Sequence, residues 1–543
     1  MKKNLPIGID SFREIQETDR FYVDKTMFIR DFIQASDKVS LVTRPRRFGK
    51  TLNMTMLREF FDITKDSRAI FEGLMIMETA YADQINSRPV IYLTFKDCKA
   101  NSVEDLTFVI SNVILHEYGK YYPLFKDNVD DSKICFFRFF DIYNQLLEGR
   151  IERKFLMISI ETLEQALYEY YKIKPILLID EYDQPILSSF EYGYHEQLKT
   201  FFAGFYGSAL KGQEHLHQAL LTGIQRIVKD SIFSQLNNIM VYTVVDKRYS
   251  TYFGLTPAET EELLAYYGMA LDEAAKQKYN GYVFGETEIY NPWSLIYYAN
   301  TGELKNYWIN TSTNYLVRKS ISEADDLFKE SFDILIRDGS AEISADLECS
   351  FIELKHGDTL WGLLINSGYL TVLEQIDELY LNVRIPNGEV QSEFIKIVAS
   401  QANLQSQDLR KMFRHLLKKD MDAFMKIYRE LVISCTSYFD AKENAYHMLF
   451  LGMCISLNNL YKLTSNIESG YGRSDIVMES LSADRPHIVV EFKQGEAIED
   501  LKEEALRQIL DNRYYGGLLG NILCIGIAHD KKRCSITHKT VTN

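Results

Sequence analysis

The 543-residue chain carries a formal net charge of −15, with 46% hydrophobic and 13% aromatic residues. That length exceeds what one core serves and predicts three or four units, and the apolar content excludes a disordered chain. The acidic balance argues against a general nucleic-acid coat; because Gln401 to Asn543 holds 19 Lys+Arg against 18 Asp+Glu, a basic face for a polyanion is expected only in that last part.

Seven cysteines (Cys98, Cys135, Cys349, Cys435, Cys454, Cys524, Cys534) stand apart, with no C-x-x-C pair and no His/Cys ligand spacing. This predicts a reducing compartment and no zinc site. The start, MKKNLPIGID, has no apolar h-region, and the longest apolar run, Met448 to Leu457, is too short to span a bilayer. The expectation is a soluble cytoplasmic protein with no membrane partner.

In chain order, Pro6 to Thr26 is a polar lead-in ending in an extended Phe21-Tyr22-Val23, and a helix is expected from Lys25 to Ala35. A β-branched run, Val39 to Thr43, then stops in a polar turn; Gly49-Lys50-Thr51 follows, with a helix-compatible segment from Leu52 to Phe61. Strand, loop and helix in this order fit the P-loop pattern G-x-x-x-x-G-K-[ST]. There, backbone N–H groups cradle phosphates, the Lys reaches the β/γ-phosphates and the Ser/Thr hydroxyl binds Mg²⁺. Lys50 and Thr51 take those roles here. Arg44 stands where the pattern has its first Gly, so the loop entered through Arg44-Pro45-Arg46-Arg47 must turn differently, and its three guanidiniums suit a triphosphate.

Pro89 to Phe95 reads as a strand, and Val103 to Tyr171 as helical sequence interrupted by an acidic turn at Asn128 to Asp131. The aromatics Phe136, Phe137, Phe139, Phe140 and Tyr143 read as core packing at near-helical spacing. Ile176 to Ile179 is a continuously apolar strand, as expected when helices cover both sheet faces, and it ends in Asp180-Glu181. Asp180 can hold Mg²⁺, and Glu181 can polarise a water for attack on the γ-phosphate. Acidic pairs also end strands for solvation alone; following a GKT loop with one strand between favours the nucleotide reading. It points to the P-loop class with an added strand and a catalytic Glu. Gln218 to Ile224 is a further strand running into Gln225-Arg226. Thr222 at its tip can sense the γ-phosphate or serve as a plain strand-end hydroxyl, and Arg226 is a candidate for charge stabilisation. Asn238 to Val245 supplies the fifth strand.

From Tyr252 to about Ser340 the sequence reads as a helical lid, opened by Thr256-Pro257 and broken by a turn region at Tyr279 to Ser294. Ile352 to Gln375 and Leu379 to Pro386 form a bridging unit with strand-like pieces and no evident chemistry. Leu409 to Lys419 is a basic amphipathic helix, a solvated face that can also track a phosphate backbone.

The last hundred residues hold a second constellation. A helix from Ala441 to Leu457 carries Glu443 and His447 four apart on one face. Strands follow around Lys462 to Ile467 and Ser474 to Met478, the second carrying Asp475, and then Ile488 to Lys493, whose alternation puts Glu491 and Lys493 on one side. A helix, Ile498 to Asp511, presents Gln508, and Ile522 to Ala528 closes an α-β-β-β-α-β order. Carboxylates on adjacent strands make a hard oxygen site for Mg²⁺, to which Glu443 can add a ligand, and a nearby Lys can position the attacking water of a phosphodiester hydrolysis.

The segments PIGIDSF, FYVDKT, TRPRRFGKT, LLIDEYD, LLTGI with IFSQLNN, YNPWS, SGYLT, GRSDIVM and VVEFK resemble a bacterial family of AAA-ATPase-like proteins with a C-terminal PD-(D/E)XK nuclease-superfamily domain. The resemblance implies an α/β fold: a P-loop ATPase core with a parallel sheet and an added strand (1–250), a helical lid (251–345), a bridging region (346–425) and a restriction-endonuclease-like domain (426–543). It implies ATP and Mg²⁺ at Lys50, Thr51, Asp180 and Glu181, and a nuclease triad of Asp475, Glu491 and Lys493; the loop residues Arg46, Arg47, Phe48 and Gly49 are expected to line the same nucleotide site. Three readings follow: an ATP-regulated nuclease acting on nucleic acid, DNA favoured; an ATP-dependent switch or scaffold whose nuclease-like domain binds without cleaving; and a ring-forming remodeller, with the oligomeric state open.

Overall fold

Five short strands, too apolar to leave a face in water, order the first half of the fold. β1 (Val39–Thr43), β2 (Val90–Thr94), β3 (Ile176–Asp180), β4 (Gln218–Gly223) and β5 (Ile239–Tyr242) form one sheet in the order β2-β3-β4-β1-β5. Every pairing in it is parallel. β1, β3 and β4 are buried along their whole length, which is why they read as unbroken apolar runs. The computed structural model describes all residues except 1, 131, 213, 227–237, 310–323, 326, 329–330, 333, 336–338, 348–356, 378, 402–405, 435–445, 447–448, 451–452, 458–459, 470–471, 483 and 531–532.

β4 stands between β1 and β3, so the sheet has the added strand that was expected. The helix after the phosphate loop, Lys50–Phe61, buries Met54, Met56, Leu57, Phe60 and Phe61 in a core shared with Val42, Ile176 and Leu220 of the strands. The expected lead-in coil contains a helix, Phe12–Glu17, whose cap Ser11 accepts from Glu14 N and whose Phe12 enters the same core. The predicted aromatic helices are present as Val103–Lys126, Ile134–Leu147 and Ser159–Tyr171.

Beyond β5, helix Pro257–Tyr266 starts at a capping box formed by Thr256 and Glu259. Helices Glu273–Tyr279 and Pro292–Thr301 follow, separated by the antiparallel hairpin β6 (Tyr282–Phe284) and β7 (Thr287–Ile289), where only a turn region was expected. Lys25 Nζ lies 2.6 Å from both Glu259 oxygens, tying the lead-in to the first of these helices. Next come β8 (Ser340–Ser344), helix Gly357–Asn366, β9 (Thr371–Gln375) and β10 (Tyr380–Arg384).

By its contacts the chain divides into two units, Met1–Ala324 with Ile343–Leu381, and Asp325–Glu342 with Asn382–Asn543. The second holds a mixed sheet of β11 (Tyr461–Ser469), β12 (Gly472–Ser480), β13 (His487–Gln494), β14 (Asn521–Asp530) and β15 (Arg533–Thr542), in sequential order. Only β13 and β14 run parallel, joined by the crossover helix Ile498–Asp511. That helix presses so closely that a Cβ at Gly526 of β14 would stand 2.3 Å from Lys502 O. β15 lies beyond the expected order. The basic helix is Ser406–Leu417, with Leu409, Met412, Phe413 and Leu416 buried and Arg410, Lys411 and Arg414 exposed. Among the described residues no helix is long and apolar enough to cross a membrane, and the five cysteines described there are free.

Candidate nucleotide and nuclease sites

The phosphate loop ends at Gly49, whose φ of 86° is left-handed and places it as the cap of helix Lys50–Phe61 with no side chain satisfying the first N–H groups. Such a helix start is an open set of donors with the positive end of the dipole behind it. Lys50 Nζ is folded back onto the loop, donating to Arg44 O and Pro45 O at 2.9 Å each. Burial pushes the Lys50 pKa down, against the pull of the Glu181 and Asp180 carboxylates.

Arg44 does not face outward from the loop. Its fully buried side chain turns away from the loop, and Nη1 donates to Thr43 O (2.8 Å), Tyr242 O (3.0 Å) and Thr243 O (2.7 Å). The guanidinium also lies over the rings of Phe253 and Phe284, and burial lowers its pKa to about 9. Of the three arginines expected to face a triphosphate, Arg44 is therefore turned inward, while Arg46 and Arg47 line the cavity above the loop. Arg44 takes the Gly position because it ties the entrance of the loop to the end of β5.

Beneath the loop, Thr51 Oγ1 donates to Asp180 Oδ2 and Thr222 Oγ1 donates to Asp180 Oδ1, both at 2.7 Å. Both Asp180 oxygens are thus held, one by the loop helix and one by the tip of β4. Thr222 is fully buried and reaches Asp180, one residue removed from the cavity above the loop. A hydroxyl and a carboxylate in contact are the hard oxygen pair that Mg²⁺ takes while keeping several waters, so these residues fit the ion. Glu181 follows at φ 52°, a left-handed conformation costly for a side-chain-bearing residue and common where function demands it. Burial raises the Glu181 pKa, and the Lys50 charge partly offsets this.

A cavity of about 440 Å³ lies above, lined by Arg46, Arg47, Gly49, Lys50, Thr51 and Glu181. Its other walls, not read from the sequence as part of this site, include Pro6 to Asp10 of the lead-in, Lys96 and Lys99 after β2, and Pro292, Trp293 and Tyr297. The Arg47 guanidinium carbon sits 4.1 Å from the Trp293 ring centroid. The signal was available, since PIGIDSF and YNPWS carried the resemblance, but nothing in their spacing pointed at the loop. A smaller apolar cavity of about 90 Å³ adjoins, shared by Pro6, Gly49, Leu52 and Pro292. The Phe48 ring is buried against Tyr282 and Phe284 at 5.0 and 5.2 Å, so only its backbone can face a ligand. Arg226 is half-buried at the end of the described stretch and does not line the larger cavity.

Residues of the expected lid and bridging regions reach this site. Asn366 Nδ2 donates to Gln225 Oε1 at 3.0 Å, and Trp308 Nε1 donates to Arg46 O at 3.0 Å. Gly368, at φ 82°, packs so tightly on the loop that a Cβ there would lie 2.8 Å from Pro45 Cβ.

In the second unit the β12–β13 ladder ends at Ile476 and Val490, and side chains take over. Asp475 N donates to Glu491 Oε2 (3.3 Å) and Phe492 N donates to Asp475 Oδ2 (2.8 Å), which brings the two carboxylates together at the end of the pairing. Glu491 is 3% exposed. Lys493 lies two residues on, so β alternation gives it the same face as Glu491 and as Val489, which packs with Leu506 and Ile509 of the crossover helix. Two adjacent carboxylates fit a divalent cation whose remaining positions are water. Gln508 instead donates to Tyr514 Oη at 3.0 Å. Glu443 and His447 lie outside the described residues, and among the described ones no group of three or more His, Cys, Asp or Glu forms a metal cluster.

The fold and these contacts are those of a P-loop core of the added-strand class and, separately, of a paired-carboxylate site on a mixed sheet. Residues 6–233 match the family model described as predicted AAA-ATPase, and residues 441–539 match that of the PD-(D/E)XK nuclease superfamily. The chain thus carries an AAA-ATPase-like region and a nuclease-superfamily region, the architecture that the resemblance implied. It is also similar to an uncharacterized protein in the vnfD 5' region of Azotobacter chroococcum mcd 1, at 29% identity over 316 residues. That match covers 58% of this chain and 55% of the relative, little more than half of either.

Proposed function

We propose that the chain binds and hydrolyses ATP above its phosphate loop, and that nucleotide occupancy governs a metal-dependent phosphodiesterase site at Asp475, Glu491 and Lys493 acting on nucleic acid, DNA favoured. The observation that carries the first half is the chain of hydrogen bonds Thr51–Asp180–Thr222 lying under a cavity that also holds Lys50 and Glu181. Lys50 and the helix start bind the β- and γ-phosphates, Arg46 and Arg47 add charge, and Glu181 accepts a proton from the attacking water. Thr51 and Asp180 would hold Mg²⁺, which when bound would neutralise phosphate charge. In the second unit Asp475 and Glu491 would hold Mg²⁺, with Glu443 as a further ligand, and Lys493 orients the water. The working division is an ATPase core at 1–250, a lid at 251–345, a bridging region at 346–425 and the nuclease domain at 426–543. The five cysteines among the described residues are free, which supports a cytoplasmic setting.

The test is cleavage of plasmid and single-stranded DNA with and without ATP and Mg²⁺, comparing the intact chain with Asp475→Ala and Lys50→Ala. Metal-dependent cleavage lost in Asp475→Ala supports the nuclease, and altered cleavage in Lys50→Ala supports its coupling to ATP. The net charge of −15 favours a second reading, in which the nuclease-like domain binds nucleic acid or protein without cleaving. ATP binding with no cleavage in any nucleotide state would select it.

A further inference from the structure

The cavity above the phosphate loop holds more positive charge than the loop supplies. Besides Lys50 it is lined by Arg46, Arg47, Lys96 and Lys99, against the two carboxylates of Asp10 and Glu181, in a chain of net charge −15. Arg46 belongs to the loop, and Arg47 is stacked on Trp293. Lys96 arrives from a different element. Thr94 of β2 pairs with Asp180 of β3, and Phe95 N donates to Asp180 O at 3.0 Å, so the next residue, Lys96, emerges beside the strand end that carries Glu181. Lys96 Nζ lies 2.9 Å from Asp10 Oδ2, with the two side chains 45% and 56% exposed. An ion pair so open to water holds weakly and is readily exchanged for a stronger anion.

We propose that Lys96 is the cation that meets the transferring γ-phosphoryl group, supplied by the same chain, with Asp10 holding it at the cavity mouth until a triphosphate takes over the pairing. This rests on the ATP-hydrolysis reading above. In that step a water oxygen bonds to the γ-phosphorus as the bond from phosphorus to the β–γ bridging oxygen breaks. The electron pair leaves on ADP, the water's proton passes to Glu181, and inorganic phosphate is the second product. Charge spreads over the equatorial oxygens and the bridging oxygen in the transition state. The ammonium of Lys96, a point charge on a flexible four-carbon stem, can follow it. The site would then be complete within one copy. The rival reading is a rim ion pair that only pins the lead-in to the end of β2.

The experiment is steady-state ATP hydrolysis by the full chain over a wide range of protein concentration, for wild type, Lys96→Ala, Lys96→Arg and Asp10→Ala, with binding of a fluorescent ATP analogue measured in parallel. The expected result is a kcat per chain independent of concentration that falls roughly 10²-fold in Lys96→Ala, the scale of removing one preorganised electrostatic contact. Analogue affinity falls too, but by much less than kcat, Lys96→Arg restores part of the rate, and Asp10→Ala, which frees the lysine, lowers KM. Equal loss in Lys96→Ala and Asp10→Ala would mark the pair as structural and overturn the proposal. So would turnover by wild type that Lys96→Ala leaves intact, with the ATPase reading still standing. Analogue binding without any wild-type turnover would overturn the hydrolysis reading itself, and Lys96 with it.

Discussion

Asn366 Nδ2 donates to Gln225 Oε1 at 3.0 Å, and both side chains are buried. Gln225 is held on its other sides too: its N–H donates to Asp183 Oδ2 at 2.9 Å, and its carbonyl accepts from Tyr182 Oη at 2.6 Å. The turn after β3, the tip of β4 and the end of helix Gly357–Asn366 therefore form one hydrogen-bonded body around the Asp180 site. Asn366→Ala leaves Gln225 Oε1 without that donor, at a cost of about 1–3 kcal/mol. The expected outcome is a folded chain with a lower Tm, normal ATP-analogue binding, and cleavage that responds less to ATP. Calorimetry, an analogue titration and the plasmid assay measure the three.

The entrance of the loop gives a second expectation. Arg44 supplies the donors for Tyr242 O and Thr243 O, so restoring the pattern residue with Arg44→Gly removes buried charge-assisted hydrogen bonds and frees the end of β5. Hydrogen bonds to charged groups contribute about 1.5–3 kcal/mol each, and a loss of at least that size in denaturant unfolding is expected. A chain as stable as wild type would show that Arg44 is not what fixes the loop.

Glu181 sets the pH dependence. Burial raises its pKa, so its carboxylate takes up a proton above the ordinary carboxylate range and can no longer accept one from water. The acid limb of kcat is expected to lie correspondingly high, and Glu181→Gln should remove it along with roughly 10²–10⁴ of the rate. For stability the sign is the reverse. A carboxyl with a raised folded-state pKa contributes stability that is complete below its unfolded pKa and is lost as pH rises through the folded value. Glu181→Gln should therefore match or exceed wild type in Tm at alkaline pH. A pH–rate profile paired with thermal unfolding across the same range checks both.

What was legible in the sequence followed from local pattern. β1, β3 and β4 are buried throughout and so read as strands, and Gly49-Lys50-Thr51 and Asp180-Glu181 stand at strand ends where periodicity stops. The orientation of Arg44 was not legible, because the carbonyls that capture it lie 198 and 199 residues away. The cavity walls at Pro6 to Asp10 and at Trp293 are likewise brought to the loop only by tertiary packing. β15 escaped because Cys534 is its one buried residue, so it shows no apolar alternation. Helix Phe12–Glu17 is too short to display a period. At the second site, Glu491 and Lys493 shared a face by alternation alone, whereas the contact of Asp475 with Glu491 depends on where the β12–β13 ladder ends.

That contact yields the last expectation. Asp475 Oδ2 accepts from Phe492 N at 2.8 Å and Glu491 Oε2 accepts from Asp475 N at 3.3 Å, so each carboxylate has a structural hydrogen bond besides any metal. Asp475→Asn keeps an oxygen for Phe492 N and removes only charge, which separates folding from metal binding. Two neighbouring carboxylates repel one another without a cation between them, so the variant should be at least as stable as wild type in chelator. Wild type should gain stability with Mg²⁺ or Mn²⁺ by linkage, about 2.7 kcal/mol at a hundredfold excess over Kd, and Asp475→Asn should not. Thermal unfolding of both chains in chelator and in metal reads this without requiring turnover, and a metal-induced shift retained in the variant would place the cation elsewhere. DNA cleavage should be lost in parallel with that shift, because the same charge that holds the ion is the one that activates its water.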